Sequence, residues 1–201
     1  MDSPDAQTIQ AILDGAVDRY AELVDKYQAA ALKLAFSMLG NYEDARDASQ
    51  EAFLNAYRSL ARFRYGARFS TWLYRIVVNE CKDVYKRRSR EPRGSVRVGE
   101  PDADESGETL FVDVADPTGD PRRQAADREL GRSLSRAIGS LPMKQRTAFA
   151  LHHLHGLSLE GVADVMRCRV GTVKSHVFRA TERLRIDLAP SLAQQEGRSW
   201  T

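Results

Sequence analysis

Apolar residues recur at three- and four-residue steps along most of the chain, the pattern of helices buried on one face. Tyr20, Leu23, Val24, Tyr27, Ala31, Leu34 and Met38 predict one long amphipathic helix that Gly40 closes. Asn41 stands where it can cap the next helix, with Glu43 and Asp44 in its first turn and Ala45, Ala48, Ala52, Phe53 and Ala56 as its inner stripe. The pattern breaks over 63–69, which reads as a loop. Ser70 is then expected to cap a helix with inner face Leu73, Ile76, Val77 and Val84, and Trp72 is assigned with Leu73 to the core. Further along, Ala126, Leu130, Leu134 and Ile138 mark one helix, and a second begins at Pro142 and ends at Gly156. There is no internal repeat and no alternating pattern longer than a few residues. The fold class is all-α: two small helical domains, 5–93 and 122–188, joined by a linker over 94–121, with a tail from 189.

The stretch 157–180 has a division of labour of its own. Ser158 can cap a helix of about eight residues, Arg167-Cys168-Arg169 makes a three-residue turn, and a second helix is expected to run to about Arg185. That spacing is a helix-turn-helix. Val173, Val177, Ala180 and Leu184 form one stripe, expected to pack on Val162, Ala163 and Met166. The opposite stripe presents Lys174, Ser175, Phe178 and Arg179, with Thr172 near the helix start. A helix read against a major groove needs such an apolar back and cationic front, and Phe178 is suited to a thymine methyl.

Charge sharpens the picture. The 201 residues carry a net +2, but the sign alternates in blocks: −6 over 1–57, +8 over 58–94, −7 over 95–121 and +8 over 122–186. Two basic blocks separated by an acidic one are the footprint of a polyanionic partner or of ordinary solvated helix faces, and charge alone favours neither. The acidic block is rich in Gly and Pro and cannot bury enough apolar surface to offset its ordering entropy, so a flexible linker is expected there, with Leu110-Phe111-Val112 as a small apolar island. No apolar run reaches the roughly 18 residues of a membrane helix, and the acidic start does not read as a secretory leader. With only Cys81 and Cys168, a disulfide framework is not expected, and a reducing cytoplasm is the expected location.

Three strings carry a resemblance to a known family. Leu141-Pro142-Met143-Lys144-Gln145-Arg146, together with Gly171-Thr172-Val173-Lys174-Ser175-His176-Val177-Phe178-Arg179-Ala180, resembles the promoter-reading C-terminal domain of bacterial sigma factors. Asp44-Ala45-Arg46-Asp47-Ala48-Ser49-Gln50-Glu51-Ala52-Phe53 resembles the segment that grips the clamp helices of RNA polymerase. Phe69-Ser70-Thr71-Trp72-Leu73-Tyr74-Arg75-Ile76-Val77-Val78-Asn79 resembles the strand-opening segment. In this order and at this length, they resemble the compact extracytoplasmic-function (ECF) sigma factors.

The resemblance implies a chain that binds core RNA polymerase, directs it to promoters and helps open the DNA, without chemistry of its own. The implied polymerase contacts are the clamp helices of the largest subunit and the flap of the second largest. Asp44, Asp47, Gln50, Glu51 and Phe53 would offer carboxylates and an apolar anchor to a basic coiled coil. Arg62, Arg64, Tyr65, Arg68 and Phe69 would surround a base flipped from the minus-ten element, with Tyr74, Arg75, Asn79 and Lys82 along the adjacent helix; cations with interleaved aromatics are what single-strand capture requires. Lys86, Arg87, Arg88, Arg90 and Arg93 suit duplex phosphates just upstream. Thr172, Lys174, Ser175, Phe178 and Arg179 would read the minus-thirty-five element. An anti-sigma partner is common in the family. The sequence departs from the family at Arg167 and Arg169, where a glycine and a small capping residue are usual, and at Gly161, which weakens its helix by about 1 kcal/mol relative to Ala.

Other chemistry is poorly served. His152 and His155 share a helix face, but His153 points elsewhere and no second ligand pair lies nearby, so no metal or cofactor is expected; Cys81 and Cys168 read as packing residues. No Gly-rich phosphate loop, nucleophile triad or paired-carboxylate pocket is present, so no enzyme activity is expected. The alternative is a two-domain helix-turn-helix regulator that is not a sigma factor, since Thr172–His176 also resembles the recognition helices of response regulators. Such proteins normally carry a β-rich receiver domain, for which the helical N-terminal half offers no pattern.

Overall fold

The computed structural model describes residues 4–90, apart from 65 and 67, and 121–198. Among these residues there are eight α-helices and no strand: α1 (Pro4–Leu13), α2 (Tyr20–Leu39), α3 (Tyr42–Ser59), α4 (Phe69–Arg90), α5 (Pro121–Ser140), α6 (Met143–Phe149), α7 (Leu159–Met166) and α8 (Val170–Arg198). The acidic stretch expected to be a linker, with its Leu110-Phe111-Val112 island and the nearby Arg93, lies outside the described residues, save Pro121 at the start of α5.

Local chemistry sets the helix ends. Gly40 takes a left-handed φ of 72° and its N–H reaches Phe36 O, ending α2. Asn41 is extended and its side chain accepts from the Asp44 N–H, so α3 begins one residue later. Ser158 likewise accepts from the Gly161 N–H at the start of α7. Ser70 does not cap α4, which starts at Phe69; the Trp72 N–H is satisfied by the Arg68 carbonyl instead. Between α6 and Gly156 the helix widens into a π turn over Ala150–Leu154, closed by the His155 N–H on Ala150 O.

The helices α2, α3 and α4 pack into one bundle with α1 across it. Ala31, Leu34, Met38, Ala45, Ala52, Ala56, Leu73, Val77 and Val78 are all fully buried there. The alanine stripe of α3 lets the neighbouring helices come close, and each buried Leu contributes about 2 kcal/mol of transfer free energy. Polar clasps tie α1 down: Lys26 and Tyr27 both reach the Asp5 carboxylate, and Arg19 and Thr8 meet on Glu22.

The second unit is built on α8, whose inner stripe divides its partners. Val173 packs with Val162 and Ala163 of α7 as expected, but Ala180 and Leu184 pack instead on Ala137, Ile138 and Leu141 at the end of α5. The helix does not stop near Arg185; it continues to Arg198 through Pro190, over residues expected to form a tail.

The two units are packed together. One buried cluster runs from α2, α3 and α4 into α6 and α7, and α7 lies against α4. The Arg146 guanidinium, 7% exposed, crosses the junction: it donates to Met38 O at 2.8 Å at the end of α2, to Leu141 O at 3.1 Å and to Gly139 O. Its acceptors are carbonyls at the C-terminal ends of α2 and α5, where the helix dipole favours a cation.

Candidate nucleic-acid and protein interfaces

The α3 residues separate into an outer and an inner set. Asp47, Gln50 and Glu51 are exposed along its outer face, where Arg46 and Arg58 lie close to Asp47 and Glu51 at 4.0 and 3.4 Å. Such exposed pairs are worth little and leave the carboxylates open to exchange partners. Asp44 differs from the expectation: its side chain is 20% exposed and is ion-paired with Arg88 of α4, so it braces two helices instead of facing outward. Phe53 is 8% exposed and forms the floor of a groove of about 760 Å³ between α2 and α3, walled by Val24, Leu32, Gln50 and Leu54. The apolar side chain offered at the groove rim is Leu54, 51% exposed. Sequence reading missed it, although an apolar residue outside the alanine stripe was the available signal.

Around the loop before α4, Arg62, Arg64 and Arg68 are exposed, and Tyr65 lies outside the described residues. Phe69, expected to help hold a flipped base, is 2% exposed. Its ring packs against Phe63, Trp72 and Tyr27 with centroids 5.8, 5.6 and 5.4 Å away, so it serves as the core against which the loop is set. Tyr74 is likewise buried, 7% exposed, with its ring edge-on to His155 at 5.1 Å. Of the remaining α4 positions, Asn79 is exposed, while Arg75 and Lys82 are half-buried, the Arg75 Nε without a hydrogen-bond partner. Burial, then Lys86, Arg167 and Lys144, pulls the Lys82 ammonium below its usual range.

The recognition face of α8 is open. Thr172, Lys174, Ser175, Phe178 and Arg179 are all exposed, Phe178 at 67%. The Ser175 hydroxyl donates back to Gly171 O at 3.1 Å, leaving its oxygen free to accept. The helix start is set without a side-chain cap, since the N–H groups of Thr172 and Val173 both reach the Arg169 carbonyl. Arg167 adopts a left-handed φ of 53°, the conformation a glycine takes without strain, and the turn is closed by the Arg167 and Cys168 N–H groups, which both donate to Ala163 O.

The histidines part company. His152 Nδ1 lies 2.8 Å from Leu157 O, His153 is exposed beside Phe149, and His155 is turned into the junction, where burial pulls its pKa down to about 4. Among the described residues, no group of three His, Cys, Asp or Glu side chains could hold a metal ion. Cys81 is fully buried, which pushes its thiol up, and Cys168 is half-buried in the turn. No described helix is long and apolar enough to cross a membrane.

These two units coincide with two family models: Sigma-70 region 2 matches residues 23–91, and Sigma-70, region 4 matches residues 131–184. The chain is 36% identical to the RNA polymerase sigma-H factor of Pseudomonas aeruginosa, over 94% of this chain and 96% of that one. It is 36% identical to the ECF RNA polymerase sigma-E factor of Escherichia coli K12, over 90% of this chain and 92% of that one. Its fold matches the sigma factor RpoE from Bartonella quintana, solved with the anti-sigma factor NepR, with TM-score 0.67 and 23% identity over 85% of this chain and 96% of that one. It also matches CnrH, solved with the cytosolic domain of CnrY, with TM-score 0.61 and 20% identity over 94% of this chain and 99% of that one. Fold and surfaces thus define a transcription-initiation factor built from regions 2 and 4. The chain belongs to the extracytoplasmic-function family of RNA polymerase sigma factors.

Proposed function

We propose that the chain binds core RNA polymerase in the cytoplasm, directs it to a particular set of promoters, and stabilises opened DNA by binding alone. The observation that carries this reading is the exposed cationic stripe of α8, Lys174, Phe178 and Arg179, standing on a helix whose opposite side is buried. A helix held that way fits a major groove, with Lys and Arg at phosphates and guanine edges and Phe178 against a thymine methyl. Thr172 and Ser175 flank that stripe and would set its register on the minus-thirty-five element.

Asp47, Gln50 and Glu51 would meet the basic clamp helices, with Leu54 entering beside the Phe53-floored groove. Region 4 would meet the polymerase flap. Arg62, Arg64, Tyr65 and Arg68 would surround the flipped base of the minus-ten element, backed by the Phe69 cluster, while Arg75, Asn79 and Lys82 track the opened strand. Asp44 acts here by holding Arg88, and so the basic end of α4, in place for upstream phosphates. An anti-sigma protein is the proposed inhibitory partner, supported by the solved complex of the fold relative RpoE with the anti-sigma factor NepR. The test is gel filtration of the purified chain with core polymerase. Co-elution is expected for the wild type and its loss for Asp47→Lys with Glu51→Lys; co-elution of that charge-reversed variant would contradict the assignment of α3.

A further inference from the structure

Positive charge from three elements gathers where α7 lies on α4. Lys82 and Lys86 stand one turn apart on α4, Lys144 lies in the first turn of α6, and Arg167 caps the end of α7. Lys86, Lys144 and Arg167 are exposed, and their charges act on a half-buried Lys82: after burial itself, Lys86, Arg167 and Lys144 lower its ammonium, in that order. The same field continues past Lys144 to His176, which burial, then Lys144 and Arg179, lower as well.

Little on the chain answers that charge. Among the described residues, Asp83 is the carboxylate that acts on Lys82, as the weakest influence of the set, and it is already paired with Lys86 at 3.0 Å. Lys82, Lys144 and Arg167 form no ion pair among the described residues. Four cations against one carboxylate leave a net +3 on this small surface. Like charges held together by the packing of separate elements repel one another, and a bound polyanion removes that repulsion.

The arrangement selects among polyanions. A nucleic-acid strand needs exposed aromatic platforms between the cations, and no described aromatic residue of α4 or α6 is exposed. Cations converging on one half-buried ammonium instead suit a compact ligand dense in charge, whose oxygens accept from the ammonium groups and from the fork of Arg167. A single phosphate carries only about −1.5 to −2, too little to balance the site, whereas linked phosphoryl groups supply the balance in a small volume.

We propose that Lys82, Lys86, Lys144 and Arg167 form a binding site for a compact oligophosphate, three or more phosphoryl groups in a chain, free or borne on a nucleoside. Lys82 and Lys86 are shared with the surface proposed for DNA, but Lys144 and Arg167 are not, and they are the residues that define this site. Both units contribute cations, so occupancy favours the arrangement in which they are packed, by mass action.

The test is calorimetric titration of the full chain with inorganic tripolyphosphate at fixed salt, repeated with ATP, both without magnesium. Saturable binding at a single site is expected. Lys144→Ala with Arg167→Gly should weaken it by about tenfold or more, the glycine being chosen because it accepts the left-handed φ. Arg136→Ala, which removes an exposed cation of α5, should leave it unchanged. In the wild type, tripolyphosphate filling nine sites in ten should slow acylation of Lys82 and Lys144 by about tenfold and leave Lys174 alone, a readout that stands even if the double variant fails to fold. ATP binding with the same dependence on Lys144 and Arg167 supports a nucleoside-borne chain, and binding of tripolyphosphate alone supports the free one. No saturable binding of either, binding undiminished in the folded double variant, or equal protection of Lys174 overturns the proposal. So does displacement of tripolyphosphate by oligothymidylate at a lower phosphate concentration, which would make the site a nucleic-acid track.

Discussion

Two cationic helices of this chain have opposite fates. On α8 the stripe of Lys174, Phe178 and Arg179 stands open to solvent, whereas on α4 the stripe of Tyr74, Arg75 and Lys82 lies against the other unit. Phe178 and Phe69 are the sharpest pair, one 67% and the other 2% exposed. The same residue type next to the same kind of cations is a contact residue in one place and a core residue in the other. What differs is what packs on the far side of each helix, and local pattern does not report that.

The largest expected effect lies on the open helix. Lys174→Ala with Arg179→Ala removes two cationic contacts worth about 1–3 kcal/mol each, so promoter affinity should fall by at least tenfold in a footprinting titration with holoenzyme. Binding to core polymerase should be unchanged, because neither residue touches region 2; loss of that binding would contradict the division of labour.

The aromatic pair gives the next effect. Phe69→Ala should cost about 3–5 kcal/mol of unfolding free energy in urea denaturation, since its ring is enclosed by Phe63, Trp72 and Tyr27. Phe178→Ala should move stability by less than about 0.5 kcal/mol and show itself only in DNA binding. Equal losses from the two variants would erase the contrast.

A third prediction concerns acid. His155 is held near 4 by burial against an unfolded value near 6.5, so the unfolded chain binds the proton first. Its contribution is fully present above pH 6.5, is lost as pH falls from there toward 4, and amounts to at most about 3 kcal/mol. Burial lowers His153 and His176 as well, with the same sign. Urea midpoints measured between pH 7 and 4.5 should fall less steeply in His155→Gln than in the wild type. The smallest effect is at a cap: Asn41→Ala should cost about 1 kcal/mol, and Ser158→Ala a similar amount.

The fold was legible in the sequence where one residue decides a local geometry. Gly40, Asn41 and Ser158 end or begin helices as their side chains dictate, and the alanines of α3 lie on the buried side as their spacing requires. Legibility failed where the deciding partner is remote. Ala180 and Leu184 pack on α5, some 40 residues earlier, because the first half of the α8 stripe already fills the space over α7. The guanidinium of Arg146 finds a carbonyl at residue 38, and nothing in the spacing of region 4 announces it. The π turn at 150–154 and the continuation of α8 past Pro190 were likewise unmarked by any residue that demands them.

The same rule holds for the candidate sites. Exposed polar stripes on α3 and α8 could be read directly, since a charged residue opposite an apolar stripe has to face outward. Asp44 could not, because its carboxylate meets Arg88 from a helix that only the tertiary fold brings alongside. The burial of Tyr74 was illegible for the same reason, its cover coming from His155 in the other unit.

Run-off transcription tests the central claim most directly: purified core polymerase, this chain, and a library of promoter fragments from the same genome. Discrete transcripts that appear only when the chain is added, and vanish with Lys174→Ala and Arg179→Ala, are the predicted result. Transcripts that are the same with and without the chain would contradict it.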